Sequence, residues 1–228
     1  MLIKNLSFKF TAQDAYFFKD LNLKFEPGKL YFIGGENGVG KSTFFHILQG
    51  TNQTDTYLEA YVSLNSTEHQ TLNNQLPTTF TRLVHTVYQN TETMIADQFS
   101  FLDNLSFANL PKYPNLDRLP QINLFDNLLA HLDINLQCPA RLLSGGQQQL
   151  LAILLALQKP TKLLLLDEPT AKLDSKNART IMDFLLRIAQ QLDLIILIIC
   201  HDQGLIKEYA TGASLTICKS AHGERIIK

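Results

Sequence analysis

Gly35-Glu36-Asn37-Gly38-Val39-Gly40-Lys41-Ser42-Thr43 is the stretch from which the fold of this 228-residue chain can be read. It fits the phosphate-binding loop pattern G-x-x-x-x-G-K-[ST] at Gly35, Gly40, Lys41 and Ser42. The apolar run Leu30-Tyr31-Phe32-Ile33 before it reads as a buried strand, and Thr43-Phe-Phe-His-Ile-Leu-Gln49 after it reads as the first turns of a helix. That is the context the pattern requires. Glycines let the backbone bend until successive N–H groups point inward at phosphates, and the helix N-terminus adds partial positive charge. The expected nucleotide contacts are therefore Gly35, Glu36, Asn37, Gly38, Val39, Gly40, Lys41, Ser42 and Thr43. Lys41 is expected to reach the β- and γ-phosphates, and the Ser42 hydroxyl to ligate a magnesium ion that bridges them.

Working outward toward the N-terminus, residues 2 to 10 alternate Leu2, Ile3, Leu6, Phe8 and Phe10 with polar positions, and Leu21 to Phe25 alternate again before the turn Glu26-Pro27-Gly28. Antiparallel strands are expected there. Downstream, residues 51 to 83 are rich in Thr, Asn and Gln, which predicts strands joined by exposed loops, with Tyr57 to Leu64 the clearest strand. Leu83 to Tyr88 is a strand candidate ending at Gln89, and Phe99 to Leu110 and Ile122 to Leu132 carry apolar residues at helical spacing. Prolines at 111, 114 and 120 predict a surface loop between them. Gln148 to Leu157 predicts a long apolar helix after Leu143-Ser144-Gly145-Gly146-Gln147. The all-apolar run Leu163 to Leu166 ends in Asp167-Glu168-Pro169, as a central strand of a parallel sheet would. Carboxylates at that end of a strand sit where open α/β sheets bind ligands, so Asp167 can hold the magnesium through water while Glu168 faces the γ-phosphate. Asp174 to Gln191 is helical in pattern and Leu194 to Cys200 is a second buried strand with His201-Asp202 at its end. Ser214 to Cys218 with Arg225 to Ile227 predicts a hairpin.

Composition bounds the function classes. A net charge of −1 and the lack of a broad basic stretch give direct nucleic-acid binding no support. Three widely spaced cysteines, Cys138, Cys200 and Cys218, fit no metal-ligand pattern and read as buried free thiols of a reducing compartment. No uninterrupted apolar run approaches the ~20 residues a membrane span needs, and the N-terminus lacks a signal-peptide core. A cytosolic chain is expected, held at any membrane by another subunit.

Taken in order and spacing, Gly35 to Thr43, Gln89, Leu143 to Gln147, Leu163 to Glu168, Ala171 to Asp174 and His201 resemble the ATP-binding cassette (ABC) ATPases over essentially the whole chain. Ser144-Gly145-Gly146-Gln147 is the discriminating piece, because it separates this family from the kinases, GTPases and motor ATPases that share the phosphate loop. The resemblance implies an α/β fold. Its parts are a phosphate-loop NTPase core with a mostly parallel sheet, an antiparallel β sub-domain, and a helical sub-domain carrying the signature. It implies one domain over residues 1–228, with about 1–89 and 160–228 as core and about 90–159 as the helical part. Glu168 is implied as general base, His201 as the switch histidine at the γ-phosphate, and Gln89 as the Q-loop residue sensing magnesium and the attacking water. Ser42, Gln89 and Asp167 are the implied magnesium residues. Ser144, Gly145, Gly146, Gln147 and Asp174 are implied ATP contacts. Phe10 stands where the family carries an aromatic that stacks on adenine; a strand-core Phe is the other reading of that position, and Tyr16 is an alternative platform. Lys172 and Cys200 stand where Ala and Thr are commoner in the family, and Leu150 and Leu155 where many members carry arginine.

The implied function is the ATP-hydrolysing subunit of a bacterial transporter. It would work as a homodimer, or with a paralogous cassette, joined to a transmembrane permease on the cytoplasmic face of the inner membrane. The resemblance alone also admits a soluble ABC ATPase acting in translation, repair or cofactor assembly.

Overall fold

The structure is a computed structural model and describes residues 1–51, 56–64, 67–71, 74–108, 134–220 and 223–228. The expected helix at 122–132 and the proline loop at 111–120 lie outside the described residues. Strands β1 (Leu2–Lys9), β2 (Phe18–Lys24), β3 (Lys29–Gly34), β4 (Tyr57–Leu64), β5 (Thr67–Gln70), β6 (Val84–Val87), β7 (Leu163–Asp167), β8 (Ile195–Ile199), β9 (Leu215–Lys219) and β10 (Arg225–Ile227) line up as β5-β4-β1-β2-β10-β9-β3-β8-β7-β6. On one side β9, β3, β8, β7 and β6 run parallel; on the other β2, β1, β4 and β5 run antiparallel. The antiparallel β9–β10 hairpin joins the two halves through a parallel pairing of β10 with β2.

Five-residue strands such as Leu-Leu-Leu-Leu-Asp and Ile-Ile-Leu-Ile-Ile have no polar face because both sides of the parallel half are covered. Leu164, Leu166, Ile196 and Ile198 pack on one side with the helices α4 (Gly145–Ala156) and α5 (Ser175–Leu192). Leu163, Leu165, Ile195 and Leu197 pack on the other with Phe44, Phe45 and Ile47 of α1 (Lys41–Gln49). Short helices α2 (Thr78–Thr81), α3 (Phe101–Ala108) and α6 (Gln203–Tyr209) and 3-10 turns at Thr91–Thr93 and Ala140–Leu142 complete the described elements.

Four expectations need correction. The alternation of β1 breaks where Asn5 takes φ 54° and the register shifts, which buries Ser7 beside Leu6 and Phe8. The hydroxyl of Ser7 is satisfied there because it accepts from the Asp20 N–H at 3.1 Å. Residues 51–83 contain a one-turn helix at Thr78–Thr81, started after Pro77, where only strands and loops were expected. The signature helix starts at Gly145, three residues before the expected Gln148, because Ser144 caps it. Of the three cysteines, all free, only Cys200 is buried; Cys138 and Cys218 are half-buried.

Candidate active site

Parallel register puts the chemistry on one edge of the sheet. Ile33 of β3 and Asp167 of β7 both pair with Ile199 of β8, so the three strands end level. The residues that follow them, the loop at 35–40, Glu168 and His201, therefore emerge side by side, with Gln89 after β6 as the fourth. Asn37, Gly38 and Gly40 of the loop, Lys41, Ser42 and Thr43 of α1, and Gln89, Asp167, Glu168 and His201 line one cavity of about 350 Å³; the expected contacts Gly35, Glu36 and Val39 do not line it.

Gly40 opens α1 in the left-handed region at φ 115°, and the ring of Phe17 occupies the space a side chain would need: a Cβ there would lie 2.6 Å from Phe17 Cε1. Only glycine fits. Lys41 is 8% exposed, and its ammonium donates to the carbonyls of Gly35 at 2.8 Å and Glu36 at 2.9 Å. The cation is thus held inside the loop by two main-chain carbonyls.

Glu168 is the meeting point of the strand ends. Its Oε2 accepts from Gln89 Nε2 at 3.2 Å and its Oε1 lies 3.3 Å from His201 Nε2. Its backbone sits at φ 49°, a conformation a non-glycine residue adopts at a cost of order 1 kcal/mol or more, and its N–H is tied to Ile199 O at 3.0 Å. That turn aims a carboxylate across the cavity where continued strand would have aimed it along the sheet.

Asp167 beside it is half-buried, and burial first, then the neighbouring Glu168 carboxylate, raises its pKa; Lys41, His46 and His201 oppose the shift. A site that penalises the carboxylate's own charge is suited to an added cation. Ser42, Gln89 and Asp167 supply only oxygen donors besides the amide nitrogen that Gln89 gives to Glu168, the donor chemistry that suits magnesium. Among the described residues no group of three or more His, Cys, Asp or Glu could hold a metal alone. The residues fit a magnesium ion completed by phosphate and water oxygens.

The half-buried Asp167 affects stability as well. A raised folded-state pKa means its contribution to stability is fully present below the ordinary carboxylate pKa and is lost as pH rises through the raised value. Asp167→Asn should therefore raise the unfolding temperature of the nucleotide-free protein at neutral pH and flatten its dependence on pH across that window. Equal melting of the two proteins from pH 4 to 8 would show that burial of this carboxylate costs nothing.

The signature residues lie elsewhere. Ser144 Oγ accepts from the Gln147 N–H at 3.3 Å while the Ser144 N–H donates to Gln147 Oε1 at 3.0 Å, a reciprocal cap at the start of α4. Ser144, Gly146 and Gln147 line a separate cavity of about 370 Å³ with Asn177 and Lys176, and Gly145 faces a narrow cleft toward Glu168 and Gln89. Asp174 caps α5: Oδ1 accepts from the N–H groups of Lys176 and Asn177, both at 3.0 Å, and Oδ2 from Asn177 Nδ2 at 2.6 Å. Those bonds to Asn177 hold its carboxyl below the usual range. None of Ser144, Gly146, Gln147 and Asp174 lines the phosphate-loop cavity of its own chain.

Phe10 follows β1 with 48% of its surface exposed and meets Phe8 and Phe17 edge-on at 5.2 and 4.9 Å. It is not a strand-core residue. The ring of Tyr16 instead carries Lys9 Nζ at 4.3 Å, so one of its faces is taken by a cation. Phe17, the residue that links Phe10 to Gly40, had no marking in the sequence; an aromatic among three in Tyr16-Phe17-Phe18 was the only available signal.

A protein-family model described as ABC transporter matches residues 18–171. The chain belongs to the ABC transporter family. Within it, this cassette is 31% identical over 219 residues to a phosphonates import ATP-binding protein of Ruegeria sp. (strain TM1040), covering 91% of this chain and 82% of that protein. It is 30% identical to a tyrosine transport ATP-binding protein of Clostridioides difficile (strain R20291), with 88% and 81% covered. The ABC ATPase fold matches that of cbiO1 from Clostridium perfringens, part of the cbiONQ complex, with a TM-score of 0.73, 24% identity and coverage of 99% and 86%. It also matches the cassette MJ0796 in a dimeric post-hydrolysis state bound to ADP and Pi, with a TM-score of 0.68, 23% identity and coverage of 100% and 97%.

Proposed function

We propose that this ABC ATPase is the ATP-binding and ATP-hydrolysing subunit of a bacterial transporter, and that two cassettes enclose ATP between the phosphate loop of one and Ser144-Gly145-Gly146-Gln147 of the other. The observation that carries this is the division of the site: Lys41, Glu168, Gln89 and His201 share one cavity while Ser144, Gly146 and Gln147 open into another. A single chain carries both halves, with Lys41 in one cavity and Ser144, Gly146 and Gln147 in the other. A second copy, or a paralogous cassette, supplies the missing half.

Within the site, Lys41 and the loop N–H groups bind the phosphates and Phe10 offers its exposed face to adenine. Ser42, Gln89 and Asp167 would hold magnesium, whose charge neutralises the triphosphate when bound. Glu168 takes a proton from water, and His201 and Gln89 hold its carboxylate in place. Residues about 1–89 and 160–228 act as the core and about 90–159 as the helical sub-domain. Phe10→Ala should weaken ATP binding roughly tenfold, the order of one lost base–aromatic stack, with little change in turnover at saturation. Unchanged ATP affinity in a calorimetric titration would return Phe10 to a surface role.

No helix among the described residues is long and apolar enough to cross a membrane. A permease partner would hold the cassette at the cytoplasmic face. The groove for its cytoplasmic helix lies beside the Q-loop, where Thr91, Glu92, Ile95, Ala96, Asp97, Ala140, Arg141 and Gln148 line a cavity of about 430 Å³. Of the apolar residues around it, Phe101 is fully buried, Met94 and Ile95 are partly buried on the core, and Phe99 is 46% exposed. Phe99→Asp should leave ATP binding unchanged and abolish co-purification with the membrane subunit. Full assembly of that variant would remove this face from the permease contact.

A further inference from the structure

The β9–β10 hairpin forms a wall of the phosphate loop. At the start of the loop, a Cβ on Gly35 would lie 2.5 Å from the carbonyl oxygen of Ile217 in β9. At its end, Arg225 of β10 donates from Nε to the carbonyl of Val39 at 3.3 Å. The guanidinium lies over the face of Phe17, 4.6 Å from the ring centroid, and another of its N–H groups is held by Gly223 O. Phe17 is fixed in turn, because the Arg225 N–H donates to Phe17 O at 2.6 Å and the ring abuts Gly40. The guanidinium is therefore held on three sides and cannot swing away from Val39 without breaking the hairpin's own contacts.

Peptide planarity turns this contact into a statement about the phosphate site. In a trans peptide the C=O and the N–H point in opposite directions, and every peptide described here is trans. Holding the Val39 carbonyl toward the hairpin therefore directs the Gly40 N–H away from it, toward the cavity that Gly40 lines. Among the described residues no protein acceptor takes that N–H. Gly40, the one loop residue at this peptide free of a Cβ, is also the residue most able to let the peptide flip.

We propose that Arg225 is a positioning residue that keeps the Val39–Gly40 peptide in the orientation that offers the Gly40 N–H to a phosphate oxygen. This rests on the nucleotide site proposed above. It gives the C-terminal hairpin a part in phosphate binding although it touches no nucleotide. Arg225→Met keeps the stem on Phe17 and removes the donor, and Arg225→Lys keeps a charge without the planar fork.

The test titrates ATP, and inorganic tripolyphosphate as its competitor, into the unmodified full chain and both variants, with melting of the nucleotide-free proteins alongside. Arg225→Met should weaken ATP and tripolyphosphate alike by roughly tenfold, the scale of one charge-assisted bond, with turnover at saturating ATP within about twofold and melting unchanged. Arg225→Lys should not restore the affinity. Unchanged affinities overturn the proposal, as do a loss confined to ATP, full restoration by Lys, or a loss that tracks a lower melting temperature. If the unmodified chain itself binds no ATP, the nucleotide site falls and this inference with it; if it binds and Arg225→Met binds equally well, only this inference falls.

Discussion

Glu168→Gln should bind ATP with near-normal affinity and hydrolyse it at less than about one-hundredth of the unmodified rate, the usual contribution of a positioned general base. The substitution is nearly isosteric. It leaves the bridging position between Gln89 and His201 filled, where the carboxylate oxygens lie 3.2 and 3.3 Å from those two side chains. What it removes is the ability to accept a proton from water, since an amide oxygen is too weak a base. The left-handed backbone at φ 49° imposes the same constraint on Gln as on Glu, so the fold should tolerate the exchange. In the proposed dimer, which ATP binding would close and hydrolysis reopen, the variant should also accumulate as a dimer in the presence of ATP. Phosphate release and size-exclusion with ATP measure both effects. Near-normal turnover would take Glu168 out of the base role and leave it as a hydrogen-bonding bridge.

The second large effect concerns two damaged chains that repair one another. Lys41→Ala removes the ammonium held inside the phosphate loop, and Gly145→Asp places a negative charge at the N-terminus of α4, facing the partner's phosphates in the proposed dimer. The space allows the second change, since the nearest atom to an added Cβ is Leu173 Cδ2 at 3.5 Å, and a carboxylate in the first helical turn does not harm the helix itself. Each variant alone should lose nearly all activity. A heterodimer of the two has one site with both defects and one with neither, because loop and signature come from opposite chains. An equimolar random mixture then carries intact sites at about a quarter of the total, and ATPase activity should return to at most that fraction. Failure to recover activity after demonstrated subunit exchange would argue that each chain completes its own site. So would turnover by a verified monomer of the unmodified protein.

Much of this site was legible in the chain because the chemistry is local. Gly35 to Ser42 is a continuous loop whose glycines, lysine and hydroxyl are spaced by the geometry of one strand, one turn and one helix. The runs Leu163 to Leu166 and Leu194 to Cys200 are apolar throughout because both faces of a central parallel strand are covered, which marks their ends as the place for Asp167, Glu168 and His201. Ser144 was readable as a cap from its side chain alone. The helix beginning at Gly145 was not, because two glycines lower the intrinsic preference and only the reciprocal cap with Gln147 offsets it.

Other features were decided by contacts between distant residues. Alternation could not tell whether Phe10 was core or surface; the register shifts in β1 and the packing against Phe17 leave its ring exposed. The left-handed turn at Glu168 depends on a bond to Ile199, and its carboxylate on Gln89, which lies 79 positions away. Arg225 is separated from Val39 by 186 positions, and no periodicity or motif connects them. Spacing along the chain was enough to bring Lys41, Ser42, Gln89, Asp167, Glu168 and His201 to one cavity, because it fixes their order at the strand ends. Only the tertiary structure decided how those groups are aimed and what holds them, because sheet order brings β10 against β2 and sets the hairpin against the loop, a closure that no local interaction specifies.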